Sequence, residues 1–530
     1  MNKYNFNPNK YKKKLLGLIN ALKQDKHLTQ KTYHKLIKKF PKSKSQVFAK
    51  SEIIAGIRLF AKKDQKKLIQ KIVMKPVRTL SGVVPVTLLT KPYPCPGKCI
   101  YCPDDIKMPK SYLSSEPGAQ RAGHHHFDPY HQVASRLNAY YANGHPTDKV
   151  ELIVLGGTWS VYPLKYKIWF IKRCFDALNS FQVDRVRPCQ STGQSTWVQL
   201  KKSQTKNETA KTRCIGLSLE TRPDFITEQE LIDFRKFGCT KVQIGVQSLS
   251  DKILSLNQRG HGVKQTKKAF KLLRLAGFKI QAHWMANLYG SSVKKDISDF
   301  KKLFSNQNFR PDELKLYPTA LLKTAKLMDL YNQKLWKPYT NQELIKVLSV
   351  ILSAVPCYCR VTRIIRDFSS QDIIAGSKTS NLRQLVETKA KNIHEIRYRE
   401  IRKQPVKIKD LKLKITTYQT SIGTEKFLEF ITPDNKIVAF LRLSLPKIKP
   451  FIKELINSSI IREIHVYGQS LNLGVKAKTQ HLGLGTKLIN KAKKISKQAG
   501  YKKLSVISAI GTKQYYQKHG FKNGNLYQSI

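Results

Sequence analysis

From about residue 81 to 320, short apolar runs alternate with amphipathic stretches, and this alternation limits the possible folds more than any other feature of the chain. Segments 151–155, 212–219, 241–246 and 280–288 are near-continuous apolar runs that read as buried strands. Between them, 168–178, 228–237 and 263–275 carry the helical period. Strands regularly separated by helices predict a parallel sheet with crossover connections, an α/β barrel or partial barrel. In such folds the chemistry gathers beyond the C-terminal ends of the strands.

The chain has 530 residues, room for about three or four domains, and its flanks read differently from its centre. Residues 1–80 hold 22 Lys and Arg against 3 Asp and Glu, or +19, yet Leu15, Leu18, Ile19, Leu22, Ile53, Ile54 and Ile57 recur at helical spacing. This predicts a basic helical region rather than disorder. Residues 321–407 are Lys-rich and helical in pattern, with 369–380 as a connector, and read as a linker. From 408 strands are predicted at 411–417, 426–431, 437–443 and 461–467, then a helix over 483–499 and a strand at 504–507. Residues 408–530 thus form a second α/β domain.

Over the whole chain 97 Lys and Arg face 35 Asp and Glu, a net charge of +62. A small acidic substrate does not call for so much charge; a polyanion such as nucleic acid does. No apolar run reaches the roughly 18 residues needed to span a bilayer, so a cytoplasmic protein is expected.

Nine cysteines are too few for a disulfide scaffold, but Cys95, Cys99 and Cys102 stand together in Pro94-Cys95-Pro96-Gly97-Lys98-Cys99-Ile100-Tyr101-Cys102-Pro103. Three thiolates at this spacing can hold three irons of a [4Fe-4S] cube and leave the fourth open. Zinc would want a fourth protein ligand, which His124, His125 or His126 could supply, and an unliganded loop is the bland alternative.

Several further segments fall at expected strand ends. Gly156-Gly157-Thr158 follows the strand 151–155 and is either an ordinary turn or a place where backbone approaches a ligand closely. Glu220 and Arg222 close the next strand and Gln247 the one after, as capping residues or as rim groups facing a cofactor. Arg259 could pair with a carboxylate or phosphate, whereas His283 in isolation reads as a core histidine and beside these motifs as a residue facing the rim. Near the C-terminus, Gln480-His481-Leu482-Gly483-Leu484-Gly485 opens a helix. A loop of this kind can aim backbone N–H groups at a pyrophosphate. Tyr515 and Tyr516 are either packing residues or proton donors to a leaving thiolate. Lys165 and Lys315 sit near strand ends as candidate contacts in a chain rich in surface lysine.

The cysteine spacing resembles the signature of the radical S-adenosylmethionine (SAM) enzymes, and Leu155-Gly156-Gly157-Thr158 resembles their glycine motif. The Gln480 loop and the segment 511–521 resemble the acetyl-CoA loop and last helix of GNAT-type N-acetyltransferases. Both modules in one chain, with Lys91-Pro92-Tyr93-Pro94-Cys95, Phe127-Asp128-Pro129-Tyr130, Leu219-Glu220-Thr221-Arg222-Pro223-Asp224, Gly423-Thr424-Glu425 and His465-Val466-Tyr467-Gly468 in order, resemble the Elongator catalytic-subunit family over nearly the whole length.

The resemblance implies a radical SAM partial (β/α) barrel followed by a GNAT-type domain, and a radical SAM acyltransferase that forms 5-carboxymethyluridine at the wobble position of tRNA. It implies a [4Fe-4S] cluster on Cys95, Cys99 and Cys102, and SAM near Gly156, Gly157, Thr158, Lys165, Glu220, Arg222 and Gln247. Acetyl-CoA as co-substrate falls to Gln480, His481, Leu482, Gly483, Leu484, Gly485 and Tyr516, with Tyr515, Tyr516, Lys165 and Lys315 as catalytic candidates. The partner is the tRNA anticodon stem-loop, gripped by residues 1–80. Protein lysine acetylation is the alternative reading. Two positions depart from the family: Tyr289 stands where relatives carry Pro, and Tyr398 where they often carry Cys, which counts against a linker metal site built on Cys357 and Cys359. The sequence leaves open which tRNAs are used, whether the chain pairs as a homodimer, and which external electron donor serves it.

Overall fold

Four helices lead the chain, α1 (Lys12–Gln24), α2 (Gln30–Lys39), α3 (Lys50–Phe60) and α4 (Gln65–Ile72). Leu15, Leu18 and Leu22 of α1 are fully buried and pack with Ile53, Ile54 and Ile57 of α3 in a small core of their own. Thr29 caps α2 through a reciprocal pair with Thr32, satisfying first-turn donors. The computed structural model describes residues 6–75, 79, 81–181, 195–402, 404, 406–467 and 483–530. The helical module leans on the helix Pro129–Ala142, where the Arg58 guanidinium stacks 3.4 Å over the Tyr141 ring.

The central body is built on β1 (Val83–Leu89), β2 (Lys149–Leu155), β3 (Arg213–Thr221), β4 (Lys241–Gln247), β5 (Lys279–Ala286) and β6 (Glu313–Pro318). Each pairs parallel with the next in chain order. Then β7 (Leu321–Leu322) leaves the sheet, β8 (Arg360–Arg363) rejoins it beside β6, and β9 (Ile373–Ala375) pairs with β7. The result is an open half-barrel with β1 and β8 at its edges. Helices cover its outer face, and Val242, Ile244 and Val246 of β4 are fully buried, as a strand covered on both faces must be.

The expected linker over 321–407 therefore contains a seventh barrel strand. Arg360-Val361-Thr362-Arg363 pairs with Glu313–Lys315 of β6, but four residues with arginine at both ends offer no apolar run to read. Segment 369–380, expected as a connector, contributes β9.

The C-terminal domain is a second seven-stranded sheet. β10 (Lys412–Thr420), β11 (Gly423–Ile431), β12 (Ile437–Pro446) and β13 (Ser458–Val466) form an antiparallel meander. β14 (Lys503–Val506) then runs parallel to β13, and β15 (Lys522–Asn523) and β16 (Gln528–Ser529) finish the edge. β13 and β14 share only Ser458–Ile461 with Lys503–Val506, so the last five residues of β13 continue without that neighbour. The helix Leu484–Gln498 covers this sheet through Leu488, Ile489 and Ala492, all fully buried.

The two sheets meet in a fully buried polar seam. Arg462 of β13 reaches both carboxylate oxygens of Asp312, just before β6, at 2.8 and 2.6 Å, and Glu425 of β11 at 3.0 Å. Arg442 donates to the Tyr358 carbonyl at 2.6 Å and to Glu463 at 2.8 Å. Burying charges is costly unless they are paired, so these ion pairs favour one docking of the two domains. Among the described residues, no helix is long and apolar enough to cross a membrane.

Candidate active sites at the two ends of the barrel

The loop after β1 carries the three cysteines over the C-terminal rim, and each meets a hydrogen-bonding group from a different element. Cys95 Sγ lies 3.4 Å from the Gly97 amide and 3.8 Å from Thr158 Oγ1, beyond β2. Arg259, beyond β4, donates to Cys99 Sγ at 3.5 Å. Ser111 Oγ lies 2.6 Å from Cys102 Sγ. Burial, reinforced by Cys99, pushes the Cys102 thiol up to about 11, so a thiolate there needs a cationic partner.

The backbone around this loop is shaped for close approach. Gly156 and Gly157 have φ of 139° and 86°, in the region that favours glycine, and a Cβ at Gly156 would overlap the Thr90 hydroxyl. Gln247 at the end of β4 takes φ 67° without being glycine, a strained conformation of the kind concentrated at ligand sites.

The buried polar atoms decide what the rim can hold. Arg259 Nε, Arg222 Nη1, Gln247 Oε1, Glu220 Oε2 and both ring nitrogens of His261 are buried without a hydrogen-bond partner, the nearest carboxylate to His261 being Asp224 at 3.9 Å. Glu220, Arg222 and Gln247 stand at the ends of β3 and β4, and Arg259 and His261 in the loop between the helices Asp251–Leu256 and Val263–Leu275. Unsatisfied buried groups are costly, and other such atoms occur elsewhere among the described residues, at Arg274 and Glu429 for example. Arg222 is clamped by Asp224 at 3.0 and 2.8 Å and lies against Gly97, where a Cβ would overlap it. Burial pushes the Glu220 carboxyl up against the pull of Lys315, Arg366 and Arg259.

The donor set fits an iron–sulfur cube better than zinc. Among the described residues no three His, Cys, Asp or Glu side chains group as they would around a single ion. A cube has no such requirement, because each thiolate binds a different iron. Neither His124, His125 and His126 nor Cys357 and Cys359 belong to such a group among the described residues.

Below the rim the barrel is filled with polar side chains. Lys315 of β6 projects inside and donates to Gln243 Oε1 at 2.6 Å, which His283 Nε2 also meets at 3.3 Å. His283 is thus an interior residue, held neutral first by burial and then by Lys315. Lys165 is different: it stands exposed on the first turn of the helix Leu164–Ser180, away from the interior. At the floor Lys241 bonds Glu151 at 2.6 Å, and Lys279 bonds Glu313 at 3.2 Å and Glu463 at 2.6 Å.

Beneath that floor lies a cavity of about 640 Å³ between the N-terminal ends of the barrel strands and the C-terminal domain. Tyr515 and Tyr516 both line it, with Glu463, His465 and Tyr467 of the partly unpaired end of β13 and the segment that follows. Tyr516 is 5% exposed and Tyr515 39%. A Cβ on Gly485 would overlap the Tyr515 hydroxyl, and Gly483 begins the helix with φ 74°. The other loop residues, Gln480, His481 and Leu482, lie outside the described residues. The cavity and the cysteine rim therefore occupy opposite ends of one barrel.

Sequence reasoning missed Ser111, Tyr112 and Arg366. The Arg366 guanidinium lies 5.0 Å from the Tyr112 ring and donates to the Ser111 carbonyl across 255 positions. No local pattern marks any of the three.

Three family models match the chain: the radical SAM superfamily over residues 93–291, the radical SAM C-terminal domain over 311–392, and the acetyltransferase (GNAT) domain over 459–528. The tRNA uridine(34) acetyltransferase of Methanocaldococcus infernus is 40% identical over 491 residues, 88% of this chain and 89% of that protein. The tRNA uridine(34) acetyltransferase of Dehalococcoides mccartyi is 38% identical over 457 residues, 84% of this chain and 96% of that one. Elongator complex protein 3 of Homo sapiens is 35% identical over 483 residues, 86% of each chain. Among solved structures, archaeal Methanocaldococcus infernus Elp3 with residues 1–46 deleted matches with a TM-score of 0.73 and 36% identity, covering 85% of this chain and 100% of that one.

Proposed function

This chain belongs to the family that includes the tRNA uridine(34) acetyltransferases and Elongator complex protein 3, and from that premise we propose that it modifies the wobble uridine of tRNA, leaving 5-carboxymethyluridine. The observation that carries the reading is the convergence of Cys95, Cys99 and Cys102 with Thr158, Arg259 and Ser111 on one rim, in the same molecule as a tyrosine-lined cavity beside the acetyltransferase-type domain.

Cys95, Cys99 and Cys102 would hold the cluster. Gly156, Gly157 and Thr158 would admit the methionine part of SAM, with Glu220, Arg222 and Gln247 turning their free polar atoms toward it. Bound there, the cluster and SAM supply a carbon-centred radical, chemistry that belongs to the cofactors. Lys315, held by Gln243 within the barrel, keeps a positive charge beneath the site.

At the other end, the Gln480–Gly485 loop and the first turn of the following helix would receive the pyrophosphate of acetyl-CoA. Tyr516, the more buried tyrosine, is the better placed to protonate a leaving thiolate, while Tyr515 packs its hydroxyl against Gly485. Protein lysine acetylation would use a deprotonating glutamate. The cavity's Glu151, Glu313, Glu400 and Glu463 are instead each held in ion pairs with lysine or arginine, which speaks against that alternative.

Chemistry at C5 requires an accessible base, and an unstacked loop uridine supplies one. The basic helices α1–α4 would grip the tRNA backbone, contacts that position without reading sequence. An external electron donor completes the proposal.

The test uses full-length, anaerobically reconstituted protein with dithionite, SAM, methyl-labelled acetyl-CoA and unmodified tRNA, followed by nucleoside mass spectrometry. Labelled 5-carboxymethyluridine is the expected product. Formation of 5′-deoxyadenosine without it would keep the cluster reading and reject the substrate.

A further inference from the structure

Cys102 meets a hydroxyl, and the residue that carries it is held from far along the chain. Ser111 Oγ lies 2.6 Å from Cys102 Sγ, nine positions away. A thiolate bound to iron carries no proton, so in the loaded protein the serine hydroxyl is the donor. Ser111 has φ 78°, a conformation that costs a side-chain-bearing residue free energy and persists only when its surroundings impose it.

Arg366 imposes it. Its guanidinium donates to the Ser111 carbonyl and lies between two rings, 5.0 Å from Tyr112 and 4.6 Å from Phe368. It is 3.8 Å from the Glu116 carboxylate, which itself accepts from the Leu113 amide at 3.0 Å. Arg366 stands three residues beyond β8, so the segment that closes the open side of the half-barrel also fixes the direction of a hydroxyl on a cluster ligand.

We propose that Ser111, clamped by Arg366, is a positioning residue for the cluster, and that its hydrogen bond to the Cys102 sulfur sets how readily the cluster accepts an electron. The inference rests on the cluster reading given above. Hydrogen bonds to ligand sulfurs withdraw electron density and favour the reduced, more negatively charged state, which raises the reduction potential. Thr158 and Arg259 contact the other two cysteines, at 3.8 and 3.5 Å.

The test is a redox titration of the reconstituted full-length protein monitored by electron paramagnetic resonance, with iron and sulfide content measured alongside. Ser111→Ala and Ser111→Gly should both shift the midpoint to more negative potential, by on the order of a tenfold change in the oxidised-to-reduced ratio, about 59 mV for one electron. Glycine relieves the positive φ while removing the hydroxyl, so it separates backbone strain from the hydrogen bond. Arg366→Met should shift the potential in the same direction with Ser111 intact. A wild-type midpoint in cluster-replete Ser111→Gly would overturn the proposal. So would loss of the cluster from both serine variants, since the residue would then serve assembly and not potential. If the wild-type chain itself takes up no cluster, the parent reading fails instead.

Discussion

The Arg259 guanidinium donates to Cys99 Sγ at 3.5 Å across 160 positions, while its other terminal nitrogen bonds the Gly245 carbonyl at 2.7 Å at the end of β4. A buried cation is thereby fixed on a cysteine by the barrel's own backbone. Its Nε has no hydrogen-bond partner among the described residues.

Arg259→Met should weaken cluster retention. Groups that hydrogen-bond a metal ligand typically change metal affinity by about 10–100-fold. Cluster loss to an iron chelator, followed at the charge-transfer absorbance, should therefore be faster by at least about tenfold, with an unchanged circular dichroism spectrum. Arg259→Lys should fall between, since it keeps the charge but loses the planar fork.

Cys99→Ala should abolish nucleoside modification and leave tRNA affinity within about twofold of wild type, because phosphate contacts dominate affinity. Gel-shift titration beside nucleoside analysis checks both halves. Loss of binding in the folded variant would contradict a separate tRNA-gripping module.

Binding should also be strongly salt-dependent, and exposed lysines of the N-terminal helices should contribute. Replacing Lys12, Lys13, Lys38 and Lys39, all exposed, with Gln should flatten the plot of log affinity against log salt by about 0.7–0.9 for each phosphate that is no longer neutralised. An unchanged slope would place the tRNA elsewhere.

Gly485→Ala should weaken acetyl-CoA binding by roughly tenfold, about 1.4 kcal/mol, because the new Cβ displaces the Tyr515 hydroxyl. Removing that hydroxyl in Gly485→Ala with Tyr515→Phe should recover part of the loss, a coupling that a double-mutant cycle by calorimetry would read.

The domain seam gives stability a definite pH dependence. Asp312 is held well below the ordinary carboxylate range by Arg462 and then Arg442, against its burial. A depressed folded pKa contributes stability that is fully present above the unfolded value of about 4 and is lost as pH falls toward the folded one. Asp312→Asn removes one of the two carboxylates that hold Arg462, leaving Glu425 alone, and should cost up to about 3–5 kcal/mol. Its melting temperature should also fall less steeply than wild type between about pH 4 and 2.

The sequence by itself determined what depends on neighbouring residues. Apolar runs and helical spacing placed β2 to β5, the helices between them and most of the C-terminal strands, because burial on both faces of a parallel strand leaves a continuous local pattern. The spacing of Cys95, Cys99 and Cys102 marked the cluster loop for the same reason, since three ligands within eight positions share one turn of backbone. Only the tertiary structure decided what chain closure brings together. β8 enters the barrel through backbone pairing with β6, and that pairing does not depend on an apolar sequence. Arg259 reaches Cys99, and Arg366 reaches Ser111, because the folded barrel leaves buried charges and carbonyls that must find partners. The placement of the cavity beneath the barrel floor, opposite the cysteines, follows from the Arg462–Asp312 seam, which joins residues 150 positions apart and leaves no period for a linear reading to find.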